Sequence, residues 1–339
     1  MSYPHRLTFA ARIAGVAGPA GFQRRLASGL AARGVGVGYG LETAPGDVVL
    51  VIGGTRDLPG LWRTRRRGAL ILQRLNGMNW VHRRRRTGLR HFLRAELNNA
   101  LLRLIRDRLA TVVVYQSRFA QGWWERVHGA APVRSAVIHN GVPLDEYAPE
   151  AGEGPVREPI RLLMVEANLA GGYEVGLEWA AAWAPLVQSA LGGRVELAVA
   201  GRVPERARVL AESRLPVRWL GVVEPERIPR LDRSAHVLFS ADVMPACPNA
   251  VIEALACGLP VVSFDTGALP ELVTGDAGRV VPYGGDPWHL ETPDLQALAR
   301  ATVEVVRDQP KYRAGARARA EAGLGLDPMV DGYMAAIGW

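Results

Sequence analysis

The sequence predicts an α/β protein of two domains, each a doubly wound parallel sheet flanked by helices. Short aliphatic runs alternate with amphipathic stretches from end to end, the pattern of strands and crossover helices around a parallel sheet. A chain of 339 residues is long enough to bury two separate cores. Residues 150–159, EAGEGPVREP, are rich in glycine, proline and charge and have no period, so they read as the linker between the domains.

In the first domain, residues 1–149, RLTFAARI (6–13) reads as a strand and residues 15–21 as a glycine-rich loop. FQRRLASGLAARG (22–34) follows as a helix with Phe22, Leu26 and Leu30 at helical spacing. VVLVIGG (48–54), ALILQRL (69–75), TVVVYQS (111–117) and SAVIHNG (135–141) are further short strands, with a helix around residues 119–127. The second domain, residues 160–325, begins directly after the linker. Its strands are IRLLMVEA (160–167), VELAVAG (195–201), VRWLG (217–221), HVLFSAD (236–242), VVSF (261–264) and RVVPYG (279–284). Between and after them, residues 175–191, 205–213, 226–235, 293–308 and 311–323 carry helical patterns. A last short helix lies in residues 326–339, after a Gly-Leu-Gly break.

Composition excludes several function classes. Hydrophobic residues make up 48% and charged residues 22% of the chain, a globular balance. No uncharged apolar run approaches the roughly 18 residues of a membrane span, and the N-terminus lacks the layout of a signal peptide, so a cytoplasmic protein is expected. Cys247 and Cys257, the only cysteines, read as small buried thiols. No HExxH, paired histidine or DxD pattern is present, so no metal is expected; no GxSxG supports a covalent serine.

Charge is distributed unevenly. Residues 1–150 carry a net charge of +14 and residues 151–339 a net charge of −6. Fourteen arginines fall within residues 61–108, including Arg65, Arg66 and Arg67 and the run Arg83, Arg84, Arg85, Arg86. Such clustering fits either a solvated face or an anionic partner. Trp62, Trp80 and residues 89–93 offer apolar side chains beside the arginines, which favours an anionic membrane surface. No RNP-like, zinc-finger or GXXG pattern accompanies them, so nucleic acid is not the expected partner.

The most informative stretch is residues 245–271, PACPNAVIEALACGLPVVSFDTGALPE. Pro248 and Asn249 have helix-start chemistry, with Asn249 as the expected N-cap. The helix that follows is apolar at almost every position yet carries Glu253 on its first turn or so, and a buried acid needs a partner. Gly258 ends the helix, and Val261 to Phe264 return as a strand buried on both faces. The helix N-terminus is thereby free to receive an anion.

This segment resembles the nucleotide-sugar site of family 4 retaining glycosyltransferases of the GT-B fold. The resemblance implies two facing Rossmann-like domains, donor bound on the second and acceptor on the first, with residues 326–339 crossing back onto the first. It implies a metal-independent hexosyl transfer from a nucleoside diphosphate sugar, without other cofactor, to a glycan or lipid-linked acceptor. Glu253 matches the family's second glutamate, on the ribose hydroxyls. The first glutamate's position holds Pro245, so backbone N–H groups of Ala246, Cys247, Pro248 (through its flanking residues), Asn249, Ala250 and Val251 are left to meet sugar and phosphate. The family's diphosphate-binding Arg and Lys are replaced near Ala167 and Gly171, so Arg202 or a first-domain arginine such as Arg24 is expected to supply the cation, or the donor is held weakly. Gly18 and Gly21 of the glycine-rich loop and Asn76 and Asn79 would face the cleft from the acceptor side. No protein nucleophile is evident, and catalytic residues are not assigned. Two other readings stay open: a non-catalytic GT-B scaffold docking an anionic surface, and a nucleotide-sugar epimerase or hydrolase.

Overall fold

The computed structural model describes residues 5–15 and 18–339. The chain divides into two compact units, one of Met1–His82, Gly88–Gly141 and Leu326–Trp339, the other of Arg83–Thr87 and Val142–Gly325.

The first unit runs β1 (Arg6–Phe9), α1 (Gly18–Ala32), β2 (Gly36–Tyr39), β3 (Val48–Ile52), α2 (Leu58–Arg66), β4 (Leu70–Leu75), α3 (Leu89–Leu104), β5 (Val112–Tyr115), α4 (Arg118–His128) and β6 (Arg134–Val137). Its six strands pair in parallel in the order β2-β1-β3-β4-β5-β6. β3 and β5 are aliphatic because parallel strands covered on both faces have no solvent side. Two expectations change here. The strand expected over residues 6–13 stops at Phe9, and the glycine-rich stretch is not a loop throughout: α1 already starts at Gly18, so Gly18 and Gly21 form its first turn. Pro19 suits that turn because its missing N–H has no intrahelical partner there, and Ala20, Gly21 and Phe22 are buried as the helix begins. Val16 and Ala17 of the expected loop lie outside the described residues.

The second unit runs β7 (Ile160–Asn168), α5 (Val175–Leu191), β8 (Val195–Arg202), α6 (Glu205–Glu212), β9 (Val217–Gly221), α7 (Ile228–Arg233), β10 (Val237–Phe239), α8 (Asn249–Ala256), β11 (Val261–Phe264), α9 (Leu269–Leu272), β12 (Gly278–Val281), α10 (Leu295–Arg307) and α11 (Gln309–Glu321). Its sheet has the order β12-β11-β10-β7-β8-β9, again parallel. One face is filled by aromatic rings, with Trp183 5.0 Å from Phe239 and Trp179 5.7 Å from Tyr283. The chain enters this unit at Val142, ahead of the glycine- and proline-rich stretch. Arg317 donates to the Leu144 and Tyr147 carbonyls at 3.1 and 2.9 Å, and Arg233 pairs with Glu150 at 2.8 Å and Glu153 at 2.7 Å. Residues 142–153 are thus fastened to the second unit.

The last helix, α12 (Leu326–Ile337), belongs to the first unit. Gly29 of α1 makes this packing possible, since a Cβ there would stand 2.5 Å from Val330 Cγ2. Tyr333 packs on Phe22 at 5.5 Å, and Met329, Val330, Tyr333 and Ile337 join the core beneath β1 and β3. Arg33 anchors the rim through Asp327 and Asp331 at 2.8 and 3.0 Å.

Candidate functional site

In an open parallel sheet, ligands bind beyond the carboxyl ends of the strands where the strand order reverses. In the second unit that point lies between β7 and β10: the chain lays β8 and β9 on one side of β7, then β10, β11 and β12 on the other. What stands at those two strand ends is a pair of acids, Glu166 from β7 and Asp242 just past β10.

The two carboxyls lie close enough to interact. Burial, then the Asp242 charge, raises the Glu166 pKa well above the usual carboxylate range. Asp242 is pushed up to about 7, chiefly by burial, with the Val243 N–H pulling the other way. Tyr173, from the loop after β7, is raised to about 12 by burial and by the same two acids. Perturbed groups gathered at a topological switch point are the physical mark of a functional site. This cluster was not anticipated; the signal in the sequence was Glu166 and Tyr173 in MVEANLAGGYEVGL, a segment without a cation.

Backbone geometry holds the cluster. β7 and β8 change register between Val165 and Asn168, and Gly201 at φ +136° lets β8 pass against Glu166, since a Cβ on Gly201 would sit 1.7 Å from the Glu166 carbonyl oxygen. Gly176 opens α5 against Ala241, where a Cβ would lie 2.4 Å from the Ala241 carbonyl oxygen. Met244 adopts φ 63°, a left-handed conformation that a long side chain rarely takes and that is found where the surroundings over-determine it. The next residue shows how: Pro245 is buried, its carbonyl accepts from the Ala268 N–H at 2.8 Å, and Gly267 leaves no room for a Cβ beside it. The position of the family's first glutamate is thus built into the wall of the loop.

That loop delivers α8. Pro248 is its N-cap and Asn249 its first helical residue, so the expected Asn249 cap is corrected by one position. Proline φ and its extended ψ of 121° already place the chain at a helix entrance, and the first turn holds no acid. Ala246, Pro248, Asn249 and Ala250 are half-buried, while Cys247 and Val251 are buried. Glu253 sits on the second turn, not the first, and is half-buried. The deeply buried acid is instead Asp232 of α7, whose two oxygens find no hydrogen-bond partner among the described residues. Burial first and the Glu253 charge second lift its pKa well above the usual range, against the pull of Arg233. A neutral Asp232 avoids the cost of an unpaired buried carboxylate. Cys247 and Cys257 are both free and buried, and burial raises the Cys257 thiol. Arg202 ends β8 with its side chain exposed and without an ion pair among the described residues.

In the first unit, the Asn76 carbonyl accepts from Trp124 Nε1 at 2.7 Å, and Asn79 is bound to Asn99, donating from its backbone N–H at 2.9 Å and its amide at 3.0 Å. The arginine clusters are only in part a free surface. Arg65, Arg66 and Arg67 close α2 and are exposed, but Arg65 donates to the Arg108 carbonyl and Arg66 covers the Trp62 ring at 4.5 Å. Arg83 to Arg86 all belong to the second unit; Arg83, Arg84 and Arg86 are exposed, and Arg85 grips Glu178 through two bonds of 3.1 and 3.2 Å. Trp80, expected beside the arginines at an interface, is buried, whereas Leu89 and Leu93 are exposed.

Residues 161–308 match the family model described as glycosyl transferases group 1. The GDP-mannose-dependent α-(1-6)-phosphatidylinositol dimannoside mannosyltransferase of Mycobacterium tuberculosis is 28% identical over 215 residues, 62% of this chain and 53% of that protein. The chain therefore spans about half the length of this curated relative. Among solved structures, sucrose-phosphate synthase from Thermosynechococcus elongatus superposes with a TM-score of 0.73 at 16% identity, covering 98% of each chain. Anabaena HepE in complex with UDP-glucose gives 0.69 at 14% identity, covering 98% of this chain and 99% of that one. The chain thus has the two-domain α/β GT-B fold, with two six-stranded parallel sheets, and its second unit carries the similarity to glycosyl transferases group 1.

Proposed function

We propose that this protein is a hexosyltransferase that takes its donor, a nucleoside diphosphate sugar, at the carboxyl edge of the second sheet. The observation that carries the reading is the pinned loop of residues 240–248 leading into α8, with Glu253 one turn inside the helix. Glu253 would accept from both ribose hydroxyls, and the first free N–H groups of α8 would meet phosphate and sugar. The relatives support a sugar nucleotide as donor: one is named as GDP-mannose-dependent and another was solved with UDP-glucose.

The reaction would break the bond between the anomeric carbon and the diphosphate oxygen and form one from that carbon to an acceptor hydroxyl oxygen. The hydroxyl proton leaves with the departing diphosphate, and attack from the same face retains configuration. Rate would come from positioning and from stabilising the leaving group, without metal. Glu166 and Asp242 fit this scheme because a pair with raised pKa values keeps a proton near neutral pH, which limits negative charge beside the diphosphate. Arg202 is the exposed cation at the same edge.

The protein would work in the cytoplasm, on an anionic membrane face. No helix among the described residues is long and apolar enough to cross a membrane. What supports surface attachment is α3, where Leu89, Leu93 and Leu97 are exposed at intervals of four residues, beside Arg90 and Arg94. The non-catalytic alternative rests on Ala167, Gly171 and Pro245 standing where the family has two cations and an acid. Incubation with labelled GDP- and UDP-hexoses and a membrane extract separates the two: transfer of label to an extractable product is expected, and no transfer from any donor would leave the scaffold reading.

A further inference from the structure

A cavity of about 340 Å3 opens in the first unit beyond the carboxyl ends of β3 and β4. The loop after β3 contributes Arg56, the segment after β4 contributes Asn79, and α3 contributes His91, Arg94 and Asn98. No acid lines it. Arg56 and Arg94 are exposed and make no ion pair among the described residues, unlike Arg65 and Arg85, which are already engaged. Two unpaired guanidinium groups around an acid-free hollow select an anion, and planar guanidinium suits the oxygens of a phosphate.

The walls are fixed before any ligand arrives. Gln73, fully buried on β4, donates to the Gly53 carbonyl at 2.8 Å and to the Leu102 carbonyl at 3.1 Å, tying the loop after β3 to α3. Asn99 of α3 accepts from Asn79 twice and donates to its carbonyl at 2.8 Å. The Asn79 amide nitrogen is thereby committed, and its amide oxygen is left to accept from a ligand hydroxyl. On the rim stands Leu97, continuous with the exposed Leu93 and Leu89. Anion, hydroxyl and apolar surface follow one another along a single helix.

We propose that this cavity is an acceptor subsite for a phosphate ester of a polyol, with the phosphate between Arg56 and Arg94 and the hydroxyls at Asn79 and Asn98. The word acceptor rests on the glycosyltransferase reading; the phosphate site does not. The phosphate could belong to a lipid headgroup or to a soluble phosphorylated glycan.

Saturation-transfer NMR with glycerol 3-phosphate and, separately, glycerol tests the site. Glycerol 3-phosphate binds and glycerol does not; Arg56→Ser or Arg94→Ser weakens binding at least fivefold and the double variant abolishes it, with an unchanged Tm because both side chains are exposed. Dihexanoylphosphatidylglycerol below its micelle concentration identifies the source. Binding at least tenfold tighter than glycerol 3-phosphate assigns a lipid headgroup, and equal binding assigns a soluble ester; either upholds the phosphate site. Equal binding of glycerol and glycerol 3-phosphate, or wild-type affinity in the double variant, overturns it. Nucleoside diphosphate binding by the wild-type protein is read separately: its absence would sink the donor reading and leave the phosphate site standing.

Discussion

Asp242 turns a feature of the sheet edge into a measurable pH dependence. Its pKa rises from the ordinary carboxylate value to about 7 on folding, mainly through burial. Between those values the native state binds more protons than the unfolded chain, so stability is greatest at the acid end and falls as pH rises through 7. Glu166 is shifted in the same direction and adds to the slope. Asp242→Asn should flatten the decline in urea midpoint between pH 5 and 8 and raise stability at pH 8; an unchanged slope would remove Asp242 from the buried pair. The residues here were legible to different degrees. Glu253 could be singled out because its motif is contiguous, and it stands on the second turn because Pro248 rather than Asn249 caps the helix. Glu166 and Asp242 escaped notice because they are 76 positions apart and meet only when β7 and β10 become neighbours.

Among the elements, those with a pure hydrophobic pattern were readable and those hidden in charge were not. α5 and the buried strands β3, β5 and β11 follow from apolar runs of the right length. α2 and α3 were missed because their arginines read as a charge run, although Asp57 caps α2 by accepting from the Gly60 N–H at 2.8 Å. β2 was missed because GVGY is half glycine, a residue that weakens strand signals. α12 depends on a small residue elsewhere: Gly29 lets it approach α1. Gly29→Val should overpack that contact and cost about 1–3 kcal/mol, seen as a lower Tm together with earlier proteolysis after Gly325. A Tm equal to wild type would mean that α12 docks without close helix contact.

At the scale of the molecule, the chain is two parallel α/β units whose charges differ in sign as its sequence does, +14 over residues 1–150 and −6 over residues 151–339. The paired α/β architecture was legible from alternation alone, because every parallel strand must be followed by a crossover. The unit boundary was less so: composition points to residues 150–159 as the linker, but the chain enters the second unit at Val142, and ion pairs and carbonyl contacts from Arg233 and Arg317 hold Leu144, Tyr147, Glu150 and Glu153 there. The central claim is that the second unit binds a nucleoside diphosphate through α8 and Glu253. Thermal unfolding of wild type and Glu253→Ala with GDP and UDP tests it most directly. At a ligand concentration one hundred times Kd, binding to the native state adds about 2.7 kcal/mol, a rise of several degrees in wild type. Glu253→Ala should weaken binding at least tenfold, as expected for about 1.5–3 kcal/mol from lost charge-assisted hydrogen bonds, and lose most of that rise. No rise in wild type with either nucleotide, or an equal rise in the variant, would contradict the account.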